Sequence, residues 1–213
     1  MDIFETIHTR RSIRRYVDKP VPRELIEKIL DAARWAPSAH NRQPWRFAII
    51  EHANTKRALA AAMGEKLRAD LERDGVAREL IEQDTMRSYQ RITSAPVVII
   101  ACMTTRDMDV YHDTRRKKAE FVMTIQSVAM AIQNLLLAAH ALSLGTCWMC
   151  APLFVADTVR EVLKLDADWE PQALITLGYA AEVRVKERVA FDARVKFLDT
   201  DFADDTDKTR RIE

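Results

Sequence analysis

From Ala119 to Gly145 the chain carries one long, mostly apolar segment, and no other feature narrows its fold as far. It is too long for a strand, which averages about five or six residues. As a helix it presents apolar surface on most sides, so it either crosses a bilayer or runs through the middle of a fold. Glu120, Gln126, Ser127, Gln133, Asn134, His140 and Ser143 interrupt it, and interfacial anchors are missing at both ends. It therefore reads as a buried central helix over 116–144, with Gly145 as its C-cap. A 213-residue monomer cannot easily cover every side of such a helix, which implies that part of it faces a second copy.

The remaining segments supply a sheet for that helix to pack on. Pro96–Cys102 and Gln172–Tyr179 are continuous apolar runs, as expected of strands buried on both faces. Pro44 opens a strand over Trp45–Ile50, and Thr146–Met149 is a further short strand. Helices are expected over 2–9, over 22–36 with Pro22 in the first turn, and over 154–164. Residues 54–74 and 76–93 are highly charged and read as two helices parted at Gly75. The pattern is α+β, a central mixed sheet flanked by helices. One domain is expected over 1–213, with a core of about 2–190, a helical excursion at 54–93 and a C-terminal arm at 191–213.

Arg10-Arg11-Ser12-Ile13-Arg14-Arg15 sets four guanidiniums within six residues and no acid among them. Guanidinium grips phosphate through paired planar hydrogen bonds, so the cluster suggests an anion site. Net charge is only +1, so nothing global argues for nucleic acid or an acidic membrane. The four glycines, Gly64, Gly75, Gly145 and Gly178, are too far apart for a dinucleotide fingerprint or a Walker loop. A phosphate here must be held by side chains. The five scattered histidines give no metal-ligand spacing, and no nucleophile elbow is present. Three cysteines make no disulfide framework and, with no secretory leader at the N-terminus, fit a reducing cytoplasm. Cys147-Trp148-Met149-Cys150 has dithiol spacing, but Cys147 falls in an expected strand rather than at a helix N-terminus, and packing as a small hydrophobe is favoured.

Pro37-Ser38-Ala39-His40-Asn41-Arg42-Gln43-Pro44-Trp45 places amides, a hydroxyl and small residues in a loop between helix and strand. Its amides can match a ring edge that alternates donors and acceptors. Taken in order, the arginine cluster, this loop, Leu144-Gly145-Thr146-Cys147-Trp148-Met149 and Leu177-Gly178-Tyr179 resemble the nitroreductase family of FMN-dependent oxidoreductases, over about residues 2–190. Gly145–Trp148 and Asp168–Pro171 look most like the branch that holds the FMN-binding domain of the deazaflavin coenzyme glutamate ligase.

The resemblance implies a nitroreductase-like fold and an intertwined homodimer with FMN at the interface. It implies that Arg10, Arg11, Ser12 and Arg14 meet the FMN phosphate and ribityl chain, with Arg14 reaching the pyrimidine side and Arg15 turned away. Pro37, Ser38, Ala39 and Asn41 would approach the isoalloxazine from the other subunit, supported by Gln43. Trp148, Met149 and Cys150 would lie near flavin N5, although position 150 is often glycine in the family. Arg188, and less directly Lys186, would return to the phosphate. The helices at 54–93 would roof the pocket, and their Met63, Leu67, Tyr89 and arginine side chains would set the choice of acceptor. No catalytic side chain is implied, because the flavin carries the chemistry.

The implied activity is a ping-pong transfer of hydride from NAD(P)H, or from a reduced deazaflavin, to an electron-poor nitro, quinone or enone-like small molecule. Three alternatives remain at this point: a flavin or deazaflavin binder with little turnover, flavin-consuming or dehalogenating chemistry, and a thiol-redox protein using Cys147 and Cys150.

Overall fold

Along Val97–Met103 the side chains alternate between two separate cores. Val97, Ile99, Ala101 and Met103 belong to one, and Val98, Ile100 and Cys102 to the other. This is the period-two pattern of a strand covered on both faces. The computed structural model describes residues 1–182, 185, 187–190 and 194–196.

Four strands form one sheet: β1 (Trp45–Ile50), β2 (Val97–Met103), β3 (Gly145–Met149) and β4 (Glu170–Gly178), in the order β1-β2-β4-β3. All three pairings are antiparallel. The mixed sheet expected from the sequence is thus antiparallel among its named strands. Among the described residues its parallel component is the bridge between Ser12 and Thr146 beside β3; the segment then runs on to an antiparallel bridge between Tyr16 and Ala180.

Among the described residues six α-helices surround the sheet: α1 (Ile3–Thr9), α2 (Arg23–Arg34), α3 (Ala53–Arg73), α4 (Arg78–Thr93), α5 (Thr114–Ala141) and α6 (Ala156–Leu163). α2 and α5 cover one face through Ile26, Ile29, Ala33, Val128, Ala131, Ile132 and Leu135. α3 and α6 cover the other through Leu59, Ala60, Met63 and Val159.

α5 is the described helix long and apolar enough to cross a membrane, yet Thr124, Val128, Ala131, Leu135 and Ala139 bury one of its faces in the core. It ends earlier than the sequence suggested. Ser143, not Gly145, takes the left-handed conformation after the last turn (φ 61°). Leu144 N–H then reaches Ala139 O at 2.8 Å and Ser143 N–H reaches His140 O at 2.9 Å, closing the helix end. Gly145 is already in β3, for a reason given below.

Other boundaries also differ from expectation: α2 stops at Arg34 and α4 starts at Arg78. β4 starts at Glu170, with Pro171 paired to Cys102 beside a shift in register between Ala101 and Cys102, an irregularity of the kind that accommodates proline in a strand. The helix expected from 154 begins at Ala156, after a short 3-10 turn over Ala151–Phe154. The C-terminal arm at 191–213 lies outside the described residues, apart from 194–196.

Candidate functional site

The arginine-bearing segment wraps one corner of the sheet. Ile13 N–H donates to Thr146 O at 2.8 Å, and Val17 N–H donates to Tyr179 O at 3.0 Å. Tyr16 donates its hydroxyl proton to Ile13 O at 2.6 Å, with Thr176 Oγ1 at 2.7 Å from the same oxygen. Gly145 and Gly178 stand opposite each other beneath this segment. A Cβ on Gly145 would lie 2.8 Å from Ile13 Cβ, and one on Gly178 would lie 2.7 Å from the Pro96 ring and 2.9 Å from Tyr16. Both glycines are needed so that the segment can lie close against the strands.

Held in this way, the cluster divides between two cavities. One, of about 600 Å³, is lined by Ile7, His8, Arg10, Arg11, Gln133 and Arg188. Three guanidiniums therefore share a space with no acid among its described lining residues. Arg11 donates to His8 O at 2.6 Å and to Arg10 O at 2.9 Å, while its buried Nε has no partner among the described residues. Burial, then the charges of Arg188 and Arg11, lower the pKa of Arg10. At the edge of this group the His140 ring stands 2.8 Å from Thr9 Oγ1. Its pKa is lowered by burial and then by Arg10 and Arg11.

The second cavity, of about 520 Å³, is lined by Ser12, Ile13, Arg14 and Arg15, by Arg87, Gln90, Arg91 and Ser94 of α4, and by Glu182. Arg15 pairs with Glu182 at 3.6 Å. Among the described residues Arg14 makes only a long contact to Ser12 O, at 3.5 Å. The Cys147 thiol is held up in pKa by burial, against the pull of Arg14, Arg91 and Arg10. A dithiol couple needs an accessible thiolate. Cys147 is buried and Cys150 exposed, and both are free thiols, so the geometry does not favour the dithiol reading.

The loop at 37–43 sits elsewhere, against the middle of α5. Ala39 N–H donates to Ser127 Oγ at 3.2 Å, Gln43 N–H to Ser38 Oγ at 3.0 Å and Gln43 Nε2 to Asn41 Oδ1 at 3.3 Å. His40, Asn41 and Gln43 all have left-handed φ, at 50°, 55° and 51°. Such strain persists only where the surroundings fix it. Here Arg42 pairs with Asp109, whose N–H donates to the buried Glu120 at 3.1 Å. Pro37 is exposed.

Trp148 and Met149 are half-buried on β3, opposite Ile175 and Leu174, and Cys150 is exposed. The Trp148 indole N–H is buried without a partner. Neither arginine-lined cavity includes a residue of 37–43 or 148–150. The chain thus brings Arg10, Arg11 and Arg188 together, and Ser12 and Arg14 together. Lys186 lies outside the described residues.

Sequence reasoning points to the arginines of the 54–93 helices without ranking them; the structure singles out Arg87 and Arg91 and adds Gln90 and Ser94. Their spacing of i, i+3, i+4 and i+7 marks one helix face. That signal was present but hidden among the other charges of α4.

The sequence profile of the nitroreductase family matches residues 7–179. The chain belongs to the nitroreductase family. By that membership it is an oxidoreductase with the nitroreductase-like fold. A protein of Methanothermobacter thermautotrophicus, provisionally named NADH dehydrogenase/NAD(P)H nitroreductase, is 34% identical over 186 residues, covering 85% of this chain and 79% of its own. The NADH dehydrogenase of Thermus thermophilus is 35% identical over 189 residues, covering 81% of this chain and 84% of its own. A Desulfovibrio desulfuricans chain, provisionally described as a nitroreductase and solved in complex with FMN, superposes with a TM-score of 0.70 at 30% identity. The superposition covers 92% of this nitroreductase-family chain and 95% of the other. The profile match takes in the arginine cluster, both facing glycines and the α4 face, and stops short of Arg188.

Proposed function

We propose that the chain is an FMN-dependent NAD(P)H oxidoreductase that works as a cytoplasmic homodimer on electron-poor small molecules of nitro, quinone or enone type. The observation that carries this reading is the cavity of three guanidiniums that, among the described residues, has no acid in its lining and leaves a buried Arg11 Nε without an acceptor. An unpaired buried donor costs about 1–3 kcal/mol, more when charged, and a bound anion removes that cost. The residues present therefore fit the phosphate of FMN.

In this reading Arg10, Arg11 and Arg188 hold the phosphate, while Ser12 and Arg14 hold the ribityl chain and the pyrimidine side of the ring. Among the described residues Arg14 has no salt-bridge partner, so its charge is available to offset negative charge on a bound ring. Pro37, Ser38, Ala39 and Asn41, braced by Gln43, come from the partner subunit, in accord with their separation from the arginine cavities of their own chain. Trp148, Met149 and Cys150 border the ring, where the unpartnered indole N–H can donate to a bound acceptor. FMN, when bound, supplies hydride exchange between a reduced nicotinamide and the acceptor in two half-reactions. Relatives whose names carry NADH and NAD(P)H favour nicotinamide over deazaflavin as donor.

Purified protein is expected to carry FMN, and anaerobic addition of NADPH or NADH is expected to bleach its visible absorption. Arg11→Gln should weaken FMN affinity roughly ten- to a hundred-fold in a fluorescence titration. Protein that neither copurifies with FMN nor binds it on titration would sink the proposal. Bleaching by a reduced deazaflavin alone would change the donor.

A further inference from the structure

The loop at 37–43 is held more firmly than its place on the surface requires. His40, Asn41 and Gln43 are exposed in the single chain, yet each keeps a left-handed φ. Asparagine visits that region readily and glutamine does not. α5 supplies the constraint at two points on one face. Ser127 Oγ accepts from Ala39 N–H at 3.2 Å and passes its own proton to Met123 O at 2.7 Å. Two turns earlier, Glu120 Oε1 accepts from Asp109 N–H at 3.1 Å. The Asp109 carboxylate pairs with Arg42 and stands 3.8 Å from His40 Nε2. The turn that carries Asp109 is fixed in its own right. Thr104 N–H donates to Pro44 O at 2.9 Å, and Arg46 donates to Asp107 at 2.7 Å.

Fold stability does not explain Glu120. It is 5% exposed, it accepts a backbone hydrogen bond through Oε1, and its Oε2 has no partner among the described residues. A buried carboxyl so thinly satisfied destabilises, and an apolar side chain of similar size would pack at least as well. The Arg42–Asp109 pair is partly exposed and adds little stability alone. What the two acids supply is direction. Glu120 fixes the backbone at Asp109, and Asp109 then draws Arg42 and His40 to one side of the loop.

Resting on the proposed function, which brings this loop to the partner's flavin, we infer that Asp109 and Glu120 are positioning residues that act across the dimer. They preset residues 37–43 for the ring held by the other subunit, and so set the spacing at which a substrate stacks on that ring.

The test follows anaerobic bleaching of the FMN-loaded protein by NADH. Glu120→Leu and Asp109→Asn should each slow bleaching roughly ten- to a hundred-fold, as expected when a contact group shifts by about an ångström. Glu120→Gln keeps the acceptor and should recover most of the rate. Glu120→Leu should resist denaturant at least as well as wild type, which separates positioning from folding. The deciding sample is a mixed dimer of Glu120→Leu with Arg10→Gln/Arg11→Gln, supplied with one FMN. Its flavin sits in the Glu120→Leu subunit, where the arginines are intact, and meets the loop of a subunit whose Glu120 is intact. It should bleach at the wild-type rate. If Glu120→Leu does not fold, Asp109→Asn takes its place in the mixed dimer.

A mixed dimer as slow as the Glu120→Leu homodimer overturns the inference and leaves the proposed function standing. Unchanged rates in both homodimeric variants overturn it equally. Wild type that binds no FMN, or that reacts fully as a monomer, defeats the functional reading and this inference with it.

Discussion

The smallest side chains at the site bear the most on its geometry. Gly145 is required because Ile13 occupies the space of its Cβ, at 2.8 Å, and Ile13 sits between Arg11 and Arg14. Gly145→Ala should destabilise the protein by about 1–3 kcal/mol through overpacking. It should also weaken FMN binding, because the segment that carries both arginines must lift. Denaturant melts and FMN titration of the variant check the two effects together; a stable variant with full affinity would refute this account. The thiols divide just as sharply. Burial holds Cys102 at about 12 and pushes Cys147 up, while Cys150 is exposed. A thiol reagent at mildly alkaline pH should modify Cys150 alone in the native protein, and Cys150→Ser should remove the fast phase.

The end of α5 shows how an element can be read correctly and bounded wrongly. Its apolar length was plain in the sequence, but Gly145 looked like the cap while Ser143 takes the left-handed turn. A glycine near a helix end marks either a cap or a close approach, and only the tertiary contact with Ile13 decides. Ser143→Gly should raise stability by up to about 1 kcal/mol, since it removes a left-handed Cβ; a lowered melting temperature would contradict this. The strands were legible because two continuous apolar runs left no solvent face to assign. The loop at 37–43 was legible as a loop but not as a strained one, since neither His40 nor Gln43 announces positive φ. The arginines of α4 could not be ranked from sequence because its four cavity residues look like any solvated helix until Arg14 is placed opposite. Where α5 meets α1, burial beside Arg10 and Arg11 pulls the His140 pKa below its usual 6.5. The unfolded chain therefore takes up this proton more readily than the folded one. The contribution to stability is complete above that ordinary value and is lost as pH falls through it towards the folded one. Unfolding midpoints taken from about pH 7 to 5 should fall less steeply in His140→Gln than in wild type.

As a whole molecule, the single chain leaves several large apolar side chains open to solvent. Phe121 and Val122 of α5 are each 41% exposed and Phe154 is 81% exposed. A homodimer that covers them should appear in sedimentation, with FMN lost on dilution to monomer because 37–43 would then be withdrawn from the partner's site; a flavin-loaded monomer would rule this out. The hooked corner of the sheet has a further consequence, in time rather than in space. Arg10 to Tyr16 are synthesised well before Thr146 and Thr176, yet Ile13 docks on Thr146 and Tyr16 on Thr176. Contacts so distant in sequence form late in folding. The arginine cluster is thus made before the strands it docks on and takes its place only after them. On the reading proposed above, flavin loading must await the synthesis of β3 and β4.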